Sequence, residues 1–539
     1  MRALATFRGV RKQNPLRKQG MRDMFHNRFA TTAGLVIIFS AAINATAVTS
    51  RVQAAEALAT TLISGSTAYS HADLFPTYSA HLGQPIDRTN AQSIVNALTA
   101  LYERDGYSQP ELQVDDRLAK RGILRVNVYE PRITQVTVSG DPGPYREQLE
   151  TLAAPLRNTQ PVRRIQVQQT LQSMRDLPGL TVTAATRRDE TTRNAYVLAV
   201  DTKYQPVEGR IGTTNRGTSE VGPNFLMGQL ATNGILGHDE KLGALFAAAQ
   251  DFAEYHGFGL YADTPVGAAG TRVFLMGFRS DSNPSESPDD FDDDYSRERA
   301  TLRVTRPFQS SGSRSGSIGA TLELENLGIE RSGELLREDR LRSFELGGKL
   351  SWRSGARTQY LTTLDVRKGF DALGAGLYAP DLMNDPRDIS FLVTRAQLIR
   401  VTRLNEKWTI RFDALGQFSN DVLPYSERFK IGGERIGRGF EVTEVAGDRG
   451  VGGKVELRRE LTSAARIVGR TALYGFYDFG ATWTRDEPRA HESASTGGIG
   501  LSLSGERLTG YLEIAKPFTH ADLEGRNGAT LFFELGYRF

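Results

Sequence analysis

Two short segments in the last quarter of the chain carry residue types that could do chemistry. The first is Gly432-Gly433-Glu434-Arg435-Ile436-Gly437-Arg438-Gly439-Phe440, followed by Gly447-Asp448-Arg449-Gly450. The second is Tyr474-Gly475-Phe476-Tyr477-Asp478-Phe479-Gly480. Gly432 and Gly437 have the separation of a phosphate-cradling loop. However, Arg438 and Gly439 stand where Lys and Ser/Thr are required, and no strand–helix frame surrounds them. The segment is therefore not read as a nucleotide site. The seven histidines show no His-Glu-x-x-His spacing, and the carboxylates are scattered along strands rather than paired, so no enzyme is expected. With no Cys in the chain, thiol catalysis, disulfides and Cys-based metal sites are excluded. The acidic stretch Asp281–Tyr295, with Asp289, Asp290, Asp292, Asp293 and Asp294, lacks EF-hand spacing and reads as a solvated surface loop. No cofactor and no metal is expected. What remains is an arginine in a glycine-rich turn and an aspartate among aromatics. Taken on the residues alone, Arg438 reads as one solvated loop arginine among many.

The elements around these segments are short strands. From about Gln205, glycine becomes frequent, helical periodicity disappears and alternating runs recur. Trp408, Ile410 and Phe412 face one way, and Thr409, Arg411 and Asp413 the other. Leu322 and Leu324 alternate with Thr321, Glu323 and Glu325, and Leu364 and Val366 with Thr363, Asp365 and Arg367. Charges on one face of each run make sense if that face lines a wet lumen. In the second segment, Leu473, Tyr477, Phe479 and Trp483 would face lipid, and Phe476, Asp478 and Gly480 the lumen. The chain ends Leu531-Phe532-Phe533-Glu534-Leu535-Gly536-Tyr537-Arg538-Phe539. Phe533, Leu535, Tyr537 and Phe539 share one face with Leu531. A terminal strand that is apolar outward and closes on Phe is what an outer-membrane barrel needs, whereas the ends of soluble domains usually fray. Residues 205–539 number 335. At roughly 20 residues per strand with its share of loop, they allow about 16 antiparallel strands.

The N-terminal part is different. Residues 1–55 hold nine Lys+Arg and one Asp+Glu, with an apolar stretch Ala33–Phe39 before small residues at Ala45–Ala47 and Ala54–Ala55. They read as a signal peptide whose long basic region leaves Met21 and Met24 as alternative starts. Removing them leaves 57 basic and 62 acidic residues, a net charge of −5, so the sequence pI of 8.9 carries no nucleic-acid footprint. Residues 56–131 and 132–204 each show a strand–helix–strand pattern. The first has a strand at Thr61–Gly65, a helix whose apolar positions run from Ala91 to Tyr102 and stop at Gly106, and a strand at Ile123–Val128. The second has a strand at Ile133–Gly140, a helix near Arg164–Met174 stopped by Leu177-Pro178-Gly179, and strands Leu180–Thr186 and Tyr196–Asp201. The fold class is an all-β transmembrane barrel preceded by two small α/β domains.

In this order and spacing, the chain resembles the outer-membrane transporters of two-partner secretion, the haemolysin and filamentous-haemagglutinin secretion type, over its mature length. Tyr102-Glu103-Arg104-Asp105-Gly106-Tyr107 before Gly122-Ile123-Leu124, and Leu177-Pro178-Gly179 after the second helix, resemble paired periplasmic polypeptide-transport-associated (POTRA) domains. Arg438-Gly439-Phe440 resembles the tip of the loop that folds into the barrel, which the resemblance places at about 417–452, and Phe476-x-Asp478-x-Gly480 resembles the facing wall motif. The resemblance implies that Arg438 reaches into the lumen and pairs with Asp478, through the bidentate, charge-assisted contact open to a guanidinium and a carboxylate. Gly437 and Gly439 would then permit a tight tip and Phe440 would wedge it. It also implies a secreted exoprotein as partner, captured unfolded in the periplasm and exported without ATP, with outer-membrane lipid around the barrel. The barrel assembly machinery and periplasmic chaperones would be partners in its own biogenesis. An assembly factor for other barrels shares the architecture and the loop motif. Only a few residues separate the expected cleavage site from the strand at Thr61, which leaves little room for the plug helix often seen in the family.

Overall fold

The computed structural model describes residues 56–539, apart from 158, 219, 268–269, 285–292, 312, 381–384, 443, 462–468, 486–490 and 520–527. The expected signal peptide and most of the acidic run lie outside the described residues.

The first α/β unit comprises β1 (Thr60–Ser64), α1 (His71–Leu74), α2 (Arg88–Arg104), β2 (Glu111–Asp115) and β3 (Ile123–Tyr129). Its sheet order is β1-β3-β2, with β1 parallel and β2 antiparallel to β3. The Asp87 side chain caps α2 by accepting from the Asn90 N–H at 2.8 Å, which supplies one of the orphan donors of a helix start. Ile94, Leu98, Leu101 and Tyr102 then form the stripe that packs on Leu124, Val126 and Val128. Two elements were not visible in the sequence. α1 is one turn, too short to show a period, and β2 is an edge strand with only Leu112 and Val114 to alternate.

The second unit comprises β4 (Arg132–Asp141), α3 (Arg146–Ala153), α4 (Arg164–Arg175), β5 (Leu180–Arg188) and β6 (Ala195–Tyr204), in the order β4-β6-β5. Val167, Leu171 and Met174 of α4 close its core over Val136, Leu198 and Val200. The units meet directly: the Ser108 N–H donates to Val162 O at 3.0 Å, and the Arg193 guanidinium lies 3.9 Å from the Tyr129 ring centre.

Glu130 sits at this junction, 2% exposed. It accepts from the Thr67 and Ala68 N–H groups at 2.9 and 3.0 Å, from the Thr67 hydroxyl, and from Tyr102 OH at 2.7 Å. Burial pushes the Tyr102 phenol well above the usual tyrosine range, so it remains a donor. Glu130→Ala leaves these donors without their acceptor. It is expected to destabilise the first unit by about 1–3 kcal/mol for the stranded groups, seen as faster cleavage between residues 56 and 131 in limited proteolysis of the full chain.

The barrel strands are β7 (Val207–Thr214), β8 (Phe225–Asn233), β9 (Lys241–Ala249), β10 (Tyr255–Val266), β11 (Thr271–Ser282), β12 (Asp293–Ser311), β13 (Arg314–Arg331), β14 (Glu334–Ser354), β15 (Thr358–Gly369), the three-residue β16 (Gly376–Tyr378) against β14, β17 (Leu392–Arg403) and β18 (Trp408–Ser419). After a loop holding the small hairpin β19 (Phe429–Ile431) and β20 (Val445–Gly447) come β21 (Arg449–Leu461), β22 (Arg470–Trp483), β23 (His491–Ser504), β24 (Leu508–Pro517) and β25 (Thr530–Arg538). Without the three short strands this is a closed barrel of 16 antiparallel strands, the number that 335 residues allow. β25 pairs with β7 to close it, and Gly209 and Phe539 exchange both backbone hydrogen bonds at 3.0 Å. Leu531, Leu535, Tyr537 and Phe539 are exposed on the outer surface, Phe533 is half-buried, and Phe532 points inward. In β22, Leu473, Tyr477, Phe479 and Trp483 are outside, while Tyr474, Phe476 and Asp478 are buried inside. An apolar outer band over a charged interior is the solution a bilayer demands of strands.

One expectation is corrected at the acidic run. Asp293, Asp294 and Tyr295 belong to β12 rather than to a loop, because Asp293 pairs with Arg331 across the ladder at 2.7 and 2.8 Å. The in-folded loop is also tighter than its sequence bounds, running from residue 420 to 448, because β18 and β21 each extend into the predicted range.

Candidate functional site

The loop enters the lumen between β18 and β21, and its tip places Arg438 against the wall. The Arg438 side chain is 6% exposed and Asp478 is 0% exposed. Arg438 Nε donates to Asp478 Oδ2 at 3.0 Å and Nη2 donates to Oδ1 at 2.9 Å. The backbone N–H groups of Gly437 and Arg438 donate to the same Oδ2 at 3.2 and 3.1 Å. Asp478 thus accepts four hydrogen bonds from one turn, two of them the parallel fork that makes Arg–carboxylate pairs directional. The guanidinium lies 3.5 Å from the Phe476 ring centre, within cation–π range.

Backbone shape makes the approach possible. Gly437 has φ +83°, and a Cβ there would meet Ile431 Cγ2 at 2.8 Å. A Cβ at Gly439 would stand 3.1 Å from the Lys516 backbone and 3.2 Å from Thr496 Cβ. On the wall, a Cβ at Gly480 would meet Ile431 Cδ1 at 2.7 Å, so this glycine leaves room for the hairpin side chain. Phe440 is buried with Leu415, Phe429, Ile431, Ile436 and Val445, the apolar heart of the loop.

The structure adds partners that the sequence did not reveal. Arg438 Nη1 also donates to Glu456 Oε2 at 2.9 Å and to Glu513 Oε2 at 3.4 Å. Arg216, just beyond β7, donates to Glu513 Oε1 at 2.5 Å and to Arg438 O at 3.1 Å. Arg458 donates to Glu456 Oε1 at 2.9 Å, and Tyr474 OH to Glu513 Oε2 at 2.9 Å. Three carboxylates and three guanidiniums balance, which is how buried charge is tolerated. These partners come from β21, β22, β24 and the segment after β7, and they meet in full only when the barrel closes, so no linear motif announces them. Their one sequence signal is that Glu456 and Arg458 share the inward parity of β21.

A second cluster holds the base of the loop. Glu427, 4% exposed, accepts from Arg367 Nη1 at 2.8 Å and from Arg395 Nη2 at 2.6 Å. Arg367 also bonds Glu323 and Glu345, each at 3.0 Å. Gln417 Nε2 donates to Glu427 O at 2.9 Å and to Asp448 O at 3.3 Å, tying the two limbs together where they leave the wall. The Asp448 side chain accepts from the Leu423 and Arg485 N–H groups at 2.8 and 2.7 Å. The loop is thus held at its base in one place and seated by ions at its tip in another.

Known proteins share this architecture. Residues 194–504 match the family model described as haemolysin secretion/activation protein ShlB/FhaC/HecB. The chain is similar to the outer membrane transporter CdiB of Dickeya dadantii, with 21% identity over 432 residues, 78% of this chain and 75% of the relative. Among solved structures, CdiB from Escherichia coli superposes with a TM-score of 0.73 at 19% identity, covering 92% of each chain. CdiB from Acinetobacter baumannii does so with a TM-score of 0.63 at 15% identity, covering 91% of each.

Proposed function

The chain belongs to the haemolysin secretion/activation protein family ShlB/FhaC/HecB, and from that premise we propose how this outer-membrane transporter of two-partner secretion handles its exoprotein. The two α/β units act as POTRA domains in the periplasm and capture the exoprotein unfolded. Their edge strands β2 and β5 offer unpaired backbone to an extended segment, the usual basis of strand addition. The captured chain enters the lumen when the loop carrying Arg438 swings aside, and folding outside prevents its return. No ATP is consumed, since the driving terms are binding and folding. The cargo is an adhesin, a haemolysin or a contact-dependent toxin, and the protein is a conduit rather than an enzyme. Its own insertion uses the barrel assembly machinery and periplasmic chaperones, with the aromatic β25 as the recognised end.

The observation that carries this reading is the loop whose tip is seated in the lumen by a buried ion cluster, beside the apolar contacts of Ile431, Ile436 and Phe440 with Leu415 and Ala494 of the wall. Ion pairs in a wet pore can be exchanged for water at modest cost, so the seat can be released without unfolding the wall. The test compares the culture medium of the parent strain with that of a strain lacking this gene. Loss of one large exoprotein, restored by the intact gene, is expected. An unchanged medium with depleted outer-membrane barrels would establish an assembly factor instead.

A further inference from the structure

We propose that the lumenal wall formed by β8–β11 is a sliding surface for the apolar side chains of an extended, unfolded polypeptide. The inference deepens the export reading and rests on it. The lumen has two unlike halves. From β12 to β24 charged side chains recur at inward positions, with Arg299, Glu325, Arg367, Asp413, Glu456 and Asp478 among them, and the ion pairs of the loop described above fall on that part and on Arg216.

The β8–β11 half is different. Register fixes which side chains point inward there. Phe274, Met276 and Phe278 of β11 pair with Arg303, Thr301 and Arg299 of β12, and Arg299 is on the lumen side because it bonds Glu325 at 2.9 Å. Across the next ladders, Tyr261 lies opposite Met276, Leu245 opposite Gly259, and Met227 opposite Ala247. On the same strands, Phe246, Phe258, Leu260 and Leu275 are exposed on the other face, which is the lipid side. The wall therefore presents Met227, Leu245, Tyr261, Phe274, Met276 and Phe278 to the lumen.

These side chains lie along the wall instead of plugging the pore. A Cβ on Gly243 would stand 2.3 Å from Tyr261 Cζ, and one on Gly259 would meet both Leu245 Cδ1 and Phe278 Cδ2 at 3.0 Å. The rings thus rest over glycines of the neighbouring strands. Tyr261 and Phe274 stack at 6.0 Å. Among the described residues, both methionines of the barrel strands, Met227 and Met276, are on this surface, and Met227 is 37% exposed. Thioethers and flat rings suit a surface that must accept many sequences in turn. From Phe274 to Phe278 the surface runs about 14 Å along β11, at the usual rise per strand residue, room for about four residues of extended chain.

Position identifies the occupant. The β8–β9 turn at one end of this wall is where the second α/β unit docks. Tyr204 OH donates to Asn233 O there, and Gln148 Nε2 donates to Asp239 Oδ2 at 2.5 Å. The apolar surface therefore lies on the same strands as the contact between the barrel and the unit that presents the chain, beyond a narrow charged rim of Glu208, Lys241, Asp263 and Arg272. An ion pair of Arg272 and Asp263 at 2.9 Å marks the same end of β10 and β11. A chain leaving the α/β unit beside this turn passes that charged rim and then meets the apolar wall, opposite the seat of the loop tip.

The test uses the full chain in planar bilayers and two probes added from the α/β side. One is an unstructured 30-residue peptide with leucine at every fourth position, and the other is the same peptide with serine replacing leucine. Parent protein is expected to show longer current blockades with the leucine peptide. The triple variant Phe274→Ser/Met276→Ser/Phe278→Ser, first checked for an intact heat-modifiable band, is expected to shorten those blockades at least about tenfold, roughly the effect of losing one buried apolar side chain. The serine peptide should not distinguish parent from variant. Equal leucine-peptide blockades in both proteins would overturn the proposal and leave the export reading standing. Absence of blockades by either peptide in the parent would overturn the proposal, and the culture-medium comparison would then decide the export reading separately.

Discussion

Arg438→Ala is expected to lower the exported protein in the medium at least tenfold while the amount of folded barrel in the outer membrane stays nearly unchanged. The argument starts from the four hydrogen bonds on Asp478. Truncation removes the two from the side chain and leaves the carboxylate fully buried beside Glu456 and Glu513. Stranding one partner of a buried pair costs about 3–5 kcal/mol. At about 1.4 kcal/mol per tenfold, that shifts the seated-to-unseated ratio of the loop by two to three orders of magnitude. The wall does not need the pair to stay closed, because its ladders are continuous from β7 through β25. An unseated tip wanders through the lumen and competes with the passing chain, so export falls. Single-channel recordings should show more frequent and more variable open events. Asp478→Ala should produce the same phenotype, and the double variant should be milder than the sum of the two singles, since contacting residues couple. Loss of the heat-modifiable band in Arg438→Ala would show that the pair holds the barrel together and does not gate it.

The parts of this site that were legible in the sequence share a property: each is local. Strand parity along β22 separates Phe476 and Asp478 from Tyr477 and Phe479 because alternate side chains of a strand face opposite ways. The glycines around Arg438 announce a turn because Gly437 needs a positive φ. The helix stripe of α2 and the stop at Gly106 follow from a 3.6-residue period and a left-handed cap. Meetings across the barrel were not legible. Arg216, Glu456 and Glu513 are separated by as many as 297 residues, and Glu427 finds Arg367 and Arg395 only because β15 and β17 stand beside one another. Linear spacing carries no trace of such neighbours. The unlike halves of the lumen were hidden for the same reason: an inward Met276 becomes significant only when Tyr261 is known to lie beside it.

Glu427→Ala is expected to act in the opposite sense to Arg438→Ala, weakening the folded barrel far more than it alters gating. Glu427 sits in the turn Tyr425–Glu427 at the base of the loop, and its two carboxylate oxygens serve arginines from two different wall strands. Gln417 holds both limbs of the loop at the same level through Glu427 O and Asp448 O. In the proposed gating, a base fixed in this way would be the hinge about which the tip moves, because swinging the tip would break the Asp478 contacts and leave these in place. Removing the carboxylate costs Arg395, which keeps Gln417, the Glu427 backbone carbonyl and a 4.0 Å contact with Glu345, more than Arg367, which keeps Glu323 and Glu345 at 3.0 Å. The cost therefore belongs at the low end of the range for breaking a buried pair, about 3 kcal/mol. The heat-modifiable band of Glu427→Ala should convert to the unfolded position at a clearly lower temperature than that of the parent, while open events in bilayers keep the parent's frequency. If Glu427→Ala instead matched Arg438→Ala in open frequency and left the conversion temperature unmoved, the base would travel with the tip, and the whole loop, not its tip alone, would be the moving part.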